Sequence, residues 1–179
     1  MHPSSLEEMK KFFAMLQTQF KDSPINMLDV GSQDVNGGYN KLIANPLWCY
    51  TGVDLYPGNN VNIMGTGYSL PFIDCVFDAV ISGQTLEHVG RPWVFMPELE
   101  RVLKPGGYMC VVAPHTFKYH TEGGSPDCWR VWPDGMRDLI IDTCPEMDIL
   151  EIYRNNIDTV FIGRKEMNHG EYDTTSSLP

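Results

Sequence analysis

No run of about 18 consecutive apolar residues occurs anywhere in this chain, so the sequence predicts no membrane-spanning helix. Positive charge is scarce: 13 Lys and Arg stand against 23 Asp and Glu, a formal net charge of −10. That field repels phosphate backbones and anionic lipid surfaces, so neither nucleic acid nor a membrane is expected as a partner. The few arginines are scattered and build no local basic patch. Small neutral molecules or sugars suit such a surface better. The five cysteines (Cys49, Cys75, Cys110, Cys128 and Cys144) are odd in number and contain no Cys-x-x-Cys pair. A disulfide framework is therefore not expected, and free thiols suit a reducing compartment. Met1 to Lys11 is polar, with two glutamates, unlike a secretory leader, and the expected localisation is cytoplasmic.

What is present is ordinary globular composition, 42% apolar and 20% charged, over a length that suits one core. Ser4-Ser5-Leu6-Glu7-Glu8 offers a capping box, and Leu6, Met9, Phe13, Leu16 and Phe20 follow at helical spacing up to Pro24. Ile25 to Val30 is a short apolar run between breakers, a buried strand. Asn36 is a plausible N-cap for a helix through Ala44. Strands are expected at Trp48–Leu55, Val61–Met64 and Val76–Ser82, then a helix at Trp93–Leu103. Lys104-Pro105-Gly106-Gly107 has turn chemistry, and Tyr108–Ala113 is apolar enough to be central in a sheet.

Residues 114–132 form a long loop rich in His, Gly, Pro and aromatics, and Pro133 opens a helix. Ile149–Arg154 and Thr159–Arg164 then read as a hairpin around Asn155-Asn156-Ile157-Asp158. Strands alternating with helices imply an α/β fold, a doubly wound, Rossmann-like, mostly parallel sheet in which the hairpin places one antiparallel strand. Residues 1–165 are expected to be one domain, and the polar, aperiodic 166–179 a mobile tail.

Open α/β sheets bind ligands beyond the carboxyl ends of their strands. The first strand ends Leu28-Asp29-Val30-Gly31-Ser32 and the second Gly52-Val53-Asp54-Leu55. Gly31 permits close backbone approach, and Asp54 follows at about the interval of an acid that grips a ribose diol. A dinucleotide fingerprint needs a second glycine two positions on, where this chain has Gln33. A nucleoside ligand without pyrophosphate fits what remains; a structural turn beside a surface Asp is the alternative.

These segments, with Leu70-Pro71-Phe72-Ile73-Asp74, Phe77-Asp78, Leu86-Glu87-His88 and Leu103-Lys104-Pro105-Gly106-Gly107, resemble in order the motifs of class I methyltransferases. The resemblance is to the group with a type 11 methyltransferase domain and covers residues 25–114. It implies S-adenosyl-L-methionine as cofactor. Gly31 and Ser32 would then line the methionine half and Asp29 would steer its ammonium. Asp54 would hold the ribose, Leu55 would pack on the adenine, Gly67 and Tyr68 would flank it, and Ser82 would offer backbone. Thr66 stands where the family often has an acid for the adenine amino group, and the short stretch between Asp54 and Leu70 makes this a minimal version.

Methyl transfer to a hydroxyl needs alignment and a proton acceptor, and imidazole suits neutral pH. The loop after the strand ending at Ala113 supplies His115 and His120, and His88 is a third candidate. Tyr119, Asp127, Trp129 and Arg130 are candidates for holding the acceptor. Pro126-Asp127-Cys128-Trp129-Arg130 resembles a subgroup associated with glycan modification, although Cys128 replaces its usual aromatic. His115, His120 and Cys128 match no standard zinc spacing, so no metal is expected. The expected function is methyl transfer to a small-molecule or glycan acceptor, at oxygen. A non-catalytic nucleoside-binding module that keeps the fold is the alternative, and Gln33 argues against an NAD-dependent oxidoreductase.

Overall fold

The structure is a computed structural model that describes residues 2–35, 37–121 and 125–167. Helix α1 (Pro3–Phe20) precedes β1 (Ile25–Val30), and a single 3-10 turn at Tyr39–Leu42 leads to β2 (Trp48–Asp54). Strands β3 (Ile63–Met64) and β4 (Phe77–Gly83) follow, then a 3-10 turn at Leu86–His88 and helix α2 (Pro92–Val102). The chain continues through β5 (Leu103–Pro114), α3 (Pro133–Thr143), β6 (Met147–Arg154) and β7 (Asp158–Lys165). The seven strands form one sheet in the order β3-β2-β1-β4-β5-β7-β6. Among the described residues only β7 runs against its neighbours, pairing antiparallel with both β5 and β6. The expected parallel sheet closed by a C-terminal hairpin is therefore what forms.

Side chains alternate across the sheet, as strand geometry requires. Met27, Ile81, Cys110 and Val112 face α1, whose Met9, Phe12, Phe13 and Leu16 are buried at helical spacing. Leu28, Val80, Met109 and Val111 face the other way, under Phe95, Met96 and Leu99 of α2 and Met136 and Ile140 of α3. A sheet buried on both faces explains why β5 has no polar position from Gly107 to Ala113.

Three local expectations are corrected. The first helix starts at Pro3 with His2 as its N-cap, not at a Ser4 or Ser5 capping box, because proline pre-sets the first-turn dihedral. The helix expected over Asn36–Ala44 is only the Tyr39–Leu42 turn, with its proposed cap Asn36 outside the described residues. Tyr39 is wholly buried there, its hydroxyl donating to Ser5 Oγ at 3.0 Å, so a tertiary anchor replaces helical pairing. Residues 104–107 do not turn between elements. They bulge within β5, where the register against β4 shifts between Phe77 and Ala79 and Gly106 takes φ +77°. The tail expected over 166–179 lies outside the described residues from residue 168 onward.

Strand order reverses between β1 and β4, and this is where an open sheet parts to leave a crevice.

Candidate functional site

A cleft of about 370 Å³ opens at that reversal, over the carboxyl ends of β1, β2 and β4. Its first wall is the bend after β1. Gly31 adopts φ +85°, and its N–H donates to Val53 O at 2.8 Å, tying the bend to β2. A Cβ built at Gly31 would lie 1.9 Å from Thr85 Oγ1, so only glycine lets β1 and the segment after β4 meet. One residue past Val53, the Asp54 carboxylate accepts the N–H of Gln33 at 3.0 Å and of Tyr56 at 3.2 Å. A carboxylate has about four acceptor sites, so Asp54 is held in place with capacity left for ligand hydroxyls.

The second wall is Gly65 to Tyr68. Gly67 passes so close to Phe95 that a Cβ there would sit 2.4 Å from its ring. Thr66 Oγ1 accepts the Tyr68 N–H at 3.2 Å, and the Arg91 guanidinium lies 4.4 Å over the Tyr68 ring. Arg101 fixes this wall from behind, donating to Glu98, Asp74 and the carbonyls of Leu70 and Phe72. Val30, Val53, Leu55, Val89 and Phe95 supply apolar lining.

The third side is the segment after β4. Gln84 and Thr85 border the cleft, and beyond them Glu87, His88, Phe117 and His120 close its far end. Glu87 is fully buried, and neither carboxylate oxygen has a hydrogen-bond partner among the described residues. Burial pushes its pKa up to about 8, with the nearby Asp158 carboxylate adding to the effect. Burial also lowers the His88 pKa, and the neighbouring His120 lowers it further. The two imidazole rings meet edge to face at 4.9 Å.

Of the residues expected at the cofactor, Gly31, Asp54, Leu55, Thr66, Gly67 and Tyr68 line this one cleft. Ser32, Asp29 and Ser82 are buried and do not line it. Ser32 Oγ donates to Asn60 O at 3.3 Å, and Ser82 Oγ donates to Val30 O at 2.8 Å, locking β4 to β1. Asp29 is 1% exposed; its Oδ2 accepts from Tyr50 Oη at 2.6 Å, and its Oδ1 is unpartnered among the described residues.

The three histidines separate. His88 and His120 border the cleft, whereas His115 is buried outside it, bonded to Thr116 Oγ1 and Asn155 O and packed on Trp132. Tyr119, Asp127, Trp129 and Arg130 are not brought to the lining. Tyr119 is 75% exposed, and Trp129 Nε1 donates to Val89 O at 2.7 Å. Arg130 grips the Asp127 carboxylate through both terminal nitrogens and also reaches the carbonyls of Phe117 and Lys118. That guanidinium holds the Asp127 pKa far below the usual carboxylate range. The pair braces the loop that carries His120, whose N–H donates to Asp127 Oδ2 at 2.8 Å. Glu87, Gln84, Thr85 and Phe117 were missed as lining residues; the Leu86-Glu87-His88 motif carried the signal for Glu87.

Asp29 yields a pH prediction. Burial raises its folded pKa to about 7, with the Tyr50 hydrogen bond opposing and the Asp54 charge adding, against roughly 3.9 in the unfolded chain. Its contribution to stability is complete below about pH 4 and is lost as pH rises towards 7, at about 1.4 kcal/mol per unit. Asp29→Asn removes this dependence. Its stability relative to the parent therefore rises from pH 5 to 7 and levels off above, as denaturant melts at each pH will read. Parallel curves for the two proteins contradict the assignment.

Comparison with known proteins agrees with this geometry. Residues 28–111 match the family described as a methyltransferase domain. An uncharacterized methyltransferase of Mycobacterium leprae is 33% identical over 110 residues, which cover 55% of this chain and 39% of that protein. One of Schizosaccharomyces pombe is 49% identical over 47 residues, 26% of this chain and 17% of that protein. The chain thus spans well under half the length of these curated relatives. Among solved structures, the 1,6-didemethyltoxoflavin-N1-methyltransferase of Burkholderia thailandensis, with S-adenosylhomocysteine bound, superposes with a TM-score of 0.71. That match has 12% identity, covers 90% of this chain and 78% of the other, and speaks to the fold. By the matched segment and by its fold, the chain is similar to methyltransferases.

Proposed function

We propose that the chain transfers a methyl group from S-adenosyl-L-methionine to a hydroxyl oxygen of a small-molecule or glycan acceptor. One observation supports this above the rest. The Gly31 bend and the Asp54 carboxylate border a single cleft, beside a glycine wall at Gly67 where backbone passes an aromatic ring. Asp54 would take the ribose hydroxyls, the backbone at Gly31 and Gly83 the methionine half, and Leu55 and Tyr68 the adenine. Asp29, Ser32 and Ser82 would position these groups. When bound, the cofactor supplies an electrophilic methyl whose bond to sulfur breaks as the bond to the acceptor oxygen forms.

The chain's own contribution is alignment and proton handling. Holding the two reactants in line supplies about 7–11 kcal/mol of the barrier reduction. His88 and His120, at the far end of the cleft, act on the acceptor hydroxyl, whose proton must leave as the ether forms. Asp127 and Arg130 hold His120 in place, and Tyr119 and Trp129 offer exposed ring surface on the same loop. A net charge of −10 favours a neutral acceptor over nucleic acid or an anionic membrane.

Incubation with labelled S-adenosylmethionine and a panel of sugars, polyols and phenols tests the reading; the expected result is a methyl ether on one class. Tight cofactor binding with no product from any acceptor favours the non-catalytic module, for which Thr66 in place of an acid is the supporting observation. His120→Ala is expected to lower turnover by about 10²–10⁴-fold while cofactor affinity stays within a few-fold. Equal losses in both would mean that His120 only holds the loop.

A further inference from the structure

Glu87, His88 and His120 each present a ligand atom at the far end of the cleft, all within 4.8 Å of one another. They reach this point from different parts of the chain. Glu87 and His88 sit on the 3-10 turn after β4, and His120 is carried by the loop after β5. The Cys128 and Trp129 N–H groups both donate to Glu87 O, so that loop is pinned directly onto the turn.

Two features distinguish this cluster from a chance meeting of polar groups. The Glu87 carboxylate is fully buried beside the cleft, with both oxygens unpartnered among the described residues. Leaving such a group unsatisfied is costly unless a ligand completes it. Both imidazoles also have Nδ1 beside protein carbonyl or carboxylate oxygens. His88 Nδ1 lies 2.7 Å from Pro126 O, and His120 Nδ1 lies 3.3 Å from Lys118 O and 3.4 Å from Asp127 Oδ2. Carbonyl and carboxylate acceptors fix the proton on Nδ1 and leave the Nε2 lone pairs available. Metal-binding histidines show this outer arrangement.

We propose that Glu87, His88 and His120 bind a divalent first-row transition cation, which grips the acceptor oxygen at the far end of the cleft. Two imidazoles and one carboxylate suit zinc, cobalt, iron or manganese better than magnesium or calcium. His88 Nε2 and Glu87 Oε1 are 3.8 Å apart, against about 3.4 Å for two ligands of a tetrahedral cation. The widest separation among the three ligand atoms is within 4.8 Å, so cation binding draws the side chains inward by up to about 1.4 Å. Three protein ligands leave at least one coordination position open to the cleft, where an acceptor hydroxyl binds and ionises more readily. Its proton passes to solvent water, because the cation occupies the Nε2 lone pairs of His88 and His120 that act on the hydroxyl when no cation is bound. This last step rests on the methyl-transfer reading above; cation binding itself does not.

No spacing along the chain signals the site, because the loop rather than a local motif delivers His120. The test uses Co²⁺ and the full chain, first stripped with a chelator, in the absence of cofactor and acceptor. Visible absorption should saturate at one cation per chain, without the intense near-ultraviolet band of a cobalt–thiolate bond. Glu87→Gln and His120→Ala should each weaken binding more than about tenfold, with unchanged far-ultraviolet circular dichroism, while Cys75→Ser leaves it intact. No saturable binding, equal binding by the parent and both variants, or a thiolate band would each overturn the proposal. S-adenosylmethionine titrated into the chelated chain separates this from the functional reading: cofactor binding that survives chelation leaves methyl transfer standing whatever cobalt shows.

Discussion

Gly31→Ala is expected to cost the protein both stability and its cofactor. Alanine at φ +85° is strained in its own backbone, by about 1–2 kcal/mol. Its Cβ would also fall 1.9 Å from Thr85 Oγ1 and 2.6 Å from Thr85 Cγ2, so Thr85 has to move. Overpacking of this kind costs about 1–3 kcal/mol more. Thr85 itself borders the cleft, and the space it can move into is the space a ligand would fill. Thermal or denaturant melts should therefore show a loss of about 2–5 kcal/mol, and calorimetry a large fall in S-adenosylmethionine affinity. Adding Thr85→Gly to Gly31→Ala removes the clash but not the dihedral strain, so part of the stability and most of the affinity should return. A Gly31→Ala protein that melts and binds like the parent would mean that the bend is not the tight contact described.

Asp54→Ala is expected to weaken cofactor binding by about 1–3 kcal/mol, since hydroxyls lose a charged acceptor. Two backbone N–H groups, of Gln33 and Tyr56, lose the same acceptor, so some of the loss would come from the loop. A cofactor analogue lacking a ribose hydroxyl separates the two. Against the parent it should bind more weakly than S-adenosylhomocysteine; against Asp54→Ala the two should bind alike. Such a cycle isolates the contact from the loop's own relaxation. If both proteins distinguish the analogues equally, the ribose is not on Asp54.

Much of the architecture was legible because burial imposes a simple pattern on a two-faced sheet. The apolar run Tyr108–Ala113 announced a central strand, and Met9, Phe13 and Leu16 announced a helix against one face. Gly31 and Asp54 were legible for a different reason: Gly31 is the first residue beyond β1 and Asp54 the last of β2, at the carboxyl ends where a ligand must lie.

The failures have physical causes too. The Asn36–Ala44 helix lost to the burial of Tyr39, a tertiary contact that no local propensity encodes. Residues 104–107 carry turn residues because a bulge needs the same backbone freedom as a turn. His115 and His120 were indistinguishable in the sequence, both on one loop beyond β5. The first packs on Trp132 away from the cleft, and Asp127 with Arg130 swings the second towards it. Glu87 was read only as the neighbour of His88. Its isolation becomes visible once the Cys128 and Trp129 backbone folds over the Leu86–His88 turn.

A crystal structure of the chain grown with S-adenosylhomocysteine tests the central claim most directly. The account predicts the ribose hydroxyls on the Asp54 carboxylate, the amino-acid end against the Gly31 bend, and the sulfur directed towards His88 and His120. Density for the ligand anywhere outside the Gly31–Asp54 cleft, or none at saturating concentration, would contradict it.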